Sequence, residues 1–227
     1  MPLRQRAIAP VDKQERHDAI LDAAERLLVR SPDRVASVAE VAEEAGLAKG
    51  TVYLYFQGKE ELLLAVHERA VDAVFSALCA RLDRAEPMTS DDLLSLTMER
   101  LVRPPLFLPL AARCFALMGQ SVPAETLAAF HERMAARLER AGAGLERHFP
   151  GLAPGEGMAK LRHSFALIMG LWQMSVASGC GAQPSAGVVA KGGPPSASAM
   201  AWSYPEELAR ALTGLWATVT APKEQLT

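Results

Sequence analysis

Apolar side chains at Ile20, Leu21, Ala24, Leu27 and Leu28 recur at three-to-four spacing, with Asp22, Glu25 and Arg26 between them. That spacing gathers the apolar groups on one face and predicts an amphipathic helix of about five turns, ended by Ser31-Pro32-Asp33. Val38, Val41, Ala42 and Ala45 share a face of a second helix, about two turns long. Its start is marked by Ser37 and Glu40: the serine hydroxyl can accept from the Glu40 amide, and the glutamate can reach back to the Ser37 amide. Its stop is Gly46, the residue best able to take a positive φ. A third short helix is expected from near Ala48 to around Phe56, closed by Gln57-Gly58. From Lys59 to about Leu82, the recurrence of Leu62, Val66, Ala70, Val74 and Leu78 every four residues predicts a long helix.

Beyond it, residues 85–91 hold Pro87 and read as a connector. Thr89 or Ser90 can cap a helix carrying Leu93, Leu94, Leu96 and Met98, which Pro104-Pro105 interrupts. Further helices are expected at 106–119, 123–148, 156–179 and 205–220, and no segment alternates as a strand should. The stretch 179–203 is rich in Gly, Ala, Ser and Pro and reads as a long loop. The chain is therefore expected to be all-α: a mobile arm over 1–11, a domain over 12–58, a connecting helix over 59–84, and a larger helical bundle over 85–227. In its second half the helix at 156–179 is apolar nearly all round, with Ala166, Gly170 and Ser175 among bulkier groups. Such a helix buries two faces, one in its own domain and one on a partner subunit. The helix with Leu208, Leu212, Leu215 and Trp216 pairs with it, so two helices from each subunit would form a homodimer interface.

The chain has 227 residues, 50% hydrophobic and 22% charged, which suffices for a buried core without disulfides. Cys79, Cys114 and Cys180 are odd in number and widely spaced, which suits a reducing cytoplasm. The most apolar segment, 165–177, is too short to span a bilayer. Net charge is −2, and residues 1–84 carry 12 Lys and Arg against 14 Asp and Glu. Any contact with nucleic acid must therefore rest on a local patch, to which Arg4 and Arg6 on the arm would add.

Two short helices joined by a tight glycine turn, with longer helices before and after, form a helix-turn-helix plan. The second short helix would enter the DNA major groove. There Lys49 can reach guanine or phosphate, Thr51 can meet thymine, and Gly50 lets the backbone approach closely. Tyr53, Tyr55 and Lys59 can bond phosphate oxygens, while Phe56 belongs to the core.

The ordered run Ile20-Leu21-x-Ala23-Ala24, Val41-Ala42-x-x-Ala45-Gly46-Leu47, Gly50-Thr51-Val52-Tyr53-x-Tyr55-Phe56 and Lys59-Glu60-Glu61-Leu62 resembles the DNA-binding domain of TetR-family transcriptional regulators. The resemblance covers roughly residues 14–74. It implies a homodimeric, all-helical regulator whose C-terminal domain binds a small effector, most often a repressor released from a palindromic operator. Carried onto this chain, DNA contact falls on Ser37, Lys49, Gly50, Thr51, Tyr53, Tyr55 and Lys59. Pro32 stands where the family often has glycine and Ala36 where it often has threonine, and Ala39 offers no group to read a base.

For the effector, Phe107, Met118, Phe130, Met134, Phe165, Met169 and Trp172 are large apolar candidates to line a cavity. Arg113, His131 and His163 are polar groups in the same helices, and the first two complete the expected ligand set. An apolar small molecule fits such a lining. No cofactor is expected, and His131 and His163 lack metal-ligand spacing with Cys114 or Cys180. No nucleophile and base pairing, phosphate loop or carboxylate pair points to an enzyme. The alternative is a helical small-molecule carrier or enzyme whose N-terminal domain is only structural.

Overall fold

The computed structural model describes residues 10–32, 34–117, 122–177 and 202–220. The Arg4 and Arg6 arm, Met118 and most of the 179–203 loop lie outside them. Every assigned element among the described residues is helical: α1 (Pro10–Arg30), α2 (Val38–Glu44), α3 (Lys49–Tyr53), α4 (Lys59–Leu82), α5 (Ser90–Thr97), a π-helical turn (Met98–Val102), α6 (Phe107–Leu117), α7 (Ala124–His148), α8 (Glu156–Ala177) and α9 (Tyr204–Thr220). The first helix begins at Pro10, inside the stretch expected as an arm. Proline suits a first helical turn, where its missing N–H would have no partner, and Asp12 favours the positive end of the helix. Thr89, rather than Ser90, caps α5, with Asp92 returning a bond to the Thr89 amide at 2.8 Å. Ahead of Pro104 the chain loosens into a π turn, closed by the Arg103 amide donating to the Met98 carbonyl at 2.9 Å.

The chain forms two compact units. One comprises residues up to Asp72 together with Pro105–Phe130; the other comprises Ala73–Pro104 and the chain from His131 onward. The division falls inside α4 and inside α7, and α6 groups with the first unit, whereas the sequence boundaries put it with the bundle.

In the first unit, Ile20, Leu21, Ala24 and Leu28 of α1 meet Val38, Val41 and Ala42 of α2, Val52 and Phe56, Leu62, Leu63 and Val66 of α4, and Leu110 and Cys114 of α6 in one core. Charged pairs frame it: Arg69 of α4 bonds Asp22 at 2.5 Å and also Glu25, both on α1. Glu44 of α2 receives Arg26 at 2.8 Å and Arg30, again from α1.

In the second unit, Leu78, Cys79 and Leu82 pack with Met88, Leu93, Ala141, Leu145, Phe149, Leu152 and Trp216. His148 ties three segments: its Nε2 donates to the Leu82 carbonyl at 2.8 Å, and its Nδ1 accepts from the Met88 amide at 3.1 Å. These bonds fix one neutral tautomer. Helices α8 and α9 pair as expected, through Trp216 Nε1 to Ser164 Oγ at 3.1 Å and the Tyr204 hydroxyl to the Ile168 carbonyl at 3.2 Å.

Helices α7 and α8 cross where both lack side chains. A Cβ on Gly157 would overlap the Gly142 carbonyl oxygen and lie 2.9 Å from its carbonyl carbon. Backbone cannot swing aside as a flexible side chain can. Gly157→Ala is therefore expected to destabilise the protein by about 2–4 kcal/mol, read as a lowered urea midpoint. Gly214→Ala, whose Cβ meets nothing within 4 Å, serves as the neutral control.

Candidate nucleic-acid interface

The site grows from the way α2 begins and ends. Ser37 Oγ accepts from the Glu40 amide at 3.3 Å, and Glu40 Oε2 accepts from the Ser37 amide at 2.9 Å. Arg34 grips the same carboxylate through both terminal nitrogens, at 2.6 and 3.1 Å. That guanidinium, then the Ser37 bonds, hold the Glu40 carboxyl down at about 2. At the other end Gly46 has φ +66°, and the Leu47 amide reaches back to the Ala42 carbonyl at 2.8 Å while the Gly46 amide bonds Glu43 at 3.1 Å. This doubly bonded glycine cap closes α2 and turns the chain directly into α3.

Helix α3 is five residues long, and Ala48 offers it no side-chain cap. Val52, 0% exposed, and Phe56 anchor it from one side. What remains outside is a stripe of Lys49, Gly50, Tyr53 and Leu54. Tyr53 is 46% exposed and Leu54 77%. The Lys49 ammonium lies 5.8 Å from the Tyr53 ring centroid, close enough for attraction to the ring face. A Cβ on Gly50 would meet nothing within 4 Å, and its φ is not positive, so the fold itself does not demand glycine there.

Of the other expected contacts, Ser37 and Lys59 are exposed and Thr51 is half-buried. Lys59 Nζ stands 3.9 Å from Glu60. Tyr55 is half-buried against the core and 6.3 Å from the His17 ring, so α1 takes part of its surface. Ala36 is buried in the core cluster and presents nothing outward. Leu54 was absent from the expected contacts, although its place one residue after Tyr53 in Tyr-Leu-Tyr-Phe puts it on the outer stripe.

The expected effector residues divide between the units. Phe107, Arg113 and Phe130 lie in the first, while His131, Met134, Phe165, Met169 and Trp172 lie in the second. Phe107 and Phe130 are buried, Arg113, Met134, Phe165, Met169 and Trp172 half-buried, and His131 and His163 exposed. His131 and His163 are therefore on the surface and do not line a buried cavity. Cys114 is buried with its thiol 3.7 Å from the Leu63 carbonyl, and burial pushes its pKa up to about 12, so it is not poised for redox chemistry. Among the described residues no group of three or more His, Cys, Asp or Glu is placed to hold a metal ion. Nor is any helix among them long and apolar enough to cross a membrane.

A residue outside those expectations joins Phe107 and Phe130. His67 of α4 is 1% exposed, with its ring 5.9 Å from Phe107 and 6.3 Å from Phe130, and its Nδ1 has no hydrogen-bond partner. The signal was present in the chain: His67 sits four residues from both Leu63 and Val71, each buried.

The chain is similar to known proteins in both sequence and fold. Residues 20–66 match the model for bacterial regulatory proteins of the tetR family, and residues 68–222 match the tetracyclin repressor-like C-terminal domain. The chain is 27% identical over 88 residues to the fatty acid metabolism regulator protein of Bacillus subtilis, covering 39% of this chain and 44% of that protein. It is 39% identical over 75 residues to the HTH-type transcriptional regulator EthR of Mycobacterium tuberculosis, covering 33% and 35%. These matches thus span less than half the length of either relative. In fold, the chain resembles a transcriptional regulator from Pseudomonas aeruginosa PAO1 (TM-score 0.57, 18% identity, 95% of each chain). It also resembles SmeT, the repressor of the Stenotrophomonas maltophilia multidrug efflux pump SmeDEF (TM-score 0.53, 19% identity, 91% and 94%).

Burial holds His67 at a pKa of about 4, below its ordinary 6.5, with Glu68 opposing the shift. Above pH 6.5 the ring is neutral folded and unfolded alike. As pH falls from 6.5 to 4 the unfolded chain gains a proton that the folded chain refuses, so stability drops by about 3 kcal/mol across that window. Urea unfolding of wild type and His67→Leu from pH 7.5 to 4 should show the variant losing less, and no less stable at pH 7.5, because an orphaned polar group is gone.

Proposed function

We infer the function from kinship and geometry together: the chain belongs to the TetR family of bacterial regulatory proteins, and it acts as a sequence-specific DNA-binding transcriptional regulator. The observation that carries this reading is the outer stripe of α3, where a lysine, a glycine and an exposed tyrosine stand on a helix held by Val52 and Phe56. In our reading Lys49, Gly50 and Thr51 meet base edges, while Ser37, Tyr53, Tyr55 and Lys59 bond phosphates and set register. Proteins with such a module bind palindromic sites as two-fold dimers, with recognition helices about 34–36 Å apart.

The dimer is proposed to form through α8 and α9. On α8, Ala166, Gly170, Gln173 and Ala177 form an exposed face of small and polar groups, flanked by Met174 at 59% and Val176 at 51% exposure. Small residues let a second helix approach closely. The regulator is proposed to be a repressor, released when it binds an apolar small molecule. Helix α4 supplies residues to both units, so a shift along it is the proposed route from effector to α3. The effector favours release only by binding the DNA-incompetent state more tightly, by about 1–3 kcal/mol for a typical coupling.

Two experiments test this reading. Sequence selection from a random duplex pool should yield a palindromic site retarded in a salt-sensitive manner; Tyr53→Phe should bind it about tenfold more weakly with unchanged helicity, since one hydroxyl-to-phosphate bond is removed. A helical carrier or enzyme with a structural front domain would select no sequence at all. For the interface, Gly170→Glu adds a charge where a Cβ meets nothing within 4 Å of its own subunit. Sedimentation velocity should show its mass falling toward that of a monomer, and an unchanged dimer would remove α8 from the interface.

A further inference from the structure

Among the described residues, Leu54 is the most exposed of the large apolar side chains, at 77%, ahead of Val29 and Met174 at 59%. A lone exposed leucine on a protein surface needs no explanation. This one differs in its neighbours: it lies on the outer stripe of α3, one position beyond Tyr53 and four beyond Gly50, at the end of a helix otherwise anchored through Val52 and Phe56. The stripe is poor in groups that could read a base by hydrogen bonding. Lys49 is its one cation, with the ammonium 5.8 Å from the Tyr53 ring centroid, and Gly50 has no side chain. Other cations nearby are engaged, Arg34 by Glu40, Arg26 and Arg30 by Glu44.

The edge of a base pair offers one apolar feature in the major groove, the 5-methyl group of thymine. We infer that Leu54 is a specificity-determining residue that packs on a thymine 5-methyl group in each operator half-site, so that this regulator reads part of its site by apolar contact. The inference rests on the DNA-binding reading of α3 and adds a residue and a chemistry to it. Apolar readout also bears on the near-neutral charge of the front of the chain. Removing a methyl and a leucine from water together yields affinity that owes nothing to counterion release.

Replacing thymine by uracil deletes the methyl and leaves the pairing and the O4 acceptor in place, so a scan of uracil substitutions through the selected operator isolates this contact. Against wild type, one thymine per half-site should show a loss of about fourfold when substituted in one half-site and about fifteenfold in both, the value of one methyl group taken out of contact. Against Leu54→Ala that penalty should fall below about twofold, as expected when two mutations remove the same contact. Thr51→Ser, which removes the other methyl-bearing candidate while keeping its hydroxyl, should retain the full penalty. Leu54 is exposed, so its truncation leaves the core intact, and circular dichroism together with retained binding to the uracil-substituted operator shows that the variant is folded. Uracil tolerated at every thymine by wild type, an undiminished penalty in Leu54→Ala, or a penalty that disappears in Thr51→Ser would each overturn the inference. A failure to enrich any sequence from the random pool is a separate result: it overturns the regulator reading itself, and this inference with it.

Discussion

A helix of five residues cannot hold itself together in water, because nucleation costs more than so short a ladder of hydrogen bonds returns. Helix α3 therefore exists only because Val52 and Phe56 are buried among α1, α2 and α4. That packing is the constraint on which the proposed interface depends. The inward side of the segment is fixed by the core, and the outward side is whatever remains. The glycine cap at Gly46 sets the angle at which the chain enters α3, and the capping box at Ser37 sets where α2 starts. Between them, they leave the position of the outer stripe little freedom.

Charge plays a different part from the one a basic nucleic-acid binder would suggest. Arginines of α1 and α4 are spent on carboxylates of neighbouring helices, with Glu44 receiving two of them and Arg69 spanning two acids on α1. Exposed pairs of this kind contribute little stability each. Their effect is orientational: they hold α2 and α4 against α1 at the rim of a core that apolar contact already secures. The proposed interface accordingly relies on neutral donors and apolar groups more than on net charge, in keeping with the near balance of acids and bases over residues 1–84.

Much of this was legible in the sequence because it rests on local rules. The caps of α2, the glycine stop, the span of α4 and the later helices all follow from spacing within a few residues, and the structure places them within two or three positions of expectation. The family kinship was legible for the same reason, carried by an ordered run from Ile20 to Leu62. Long-range partition was not. Nothing local tells residues 105–130 to join the first unit, since that depends on Leu110 and Cys114 finding the core of α1 and α4. His67 escaped notice because histidine is not counted among apolar periodic residues, although its neighbours at spacing four are buried. Conversely, His131 and His163 drew attention for lying in apolar company along the chain, yet helical geometry turns both to solvent.

The open space at Gly50 has a consequence for how such a protein can change. Because residues 49, 50, 53 and 54 are exposed, with Leu54 at 77% and Tyr53 at 46%, exchanging them draws less on the modest stability of a small domain than exchanging Val52 or Phe56 would. In most enzymes a new specificity must be bought against the fold. On the proposed interface the two are largely separated, so duplicated copies of the gene can diverge at these positions while the architecture behind them stays as it is.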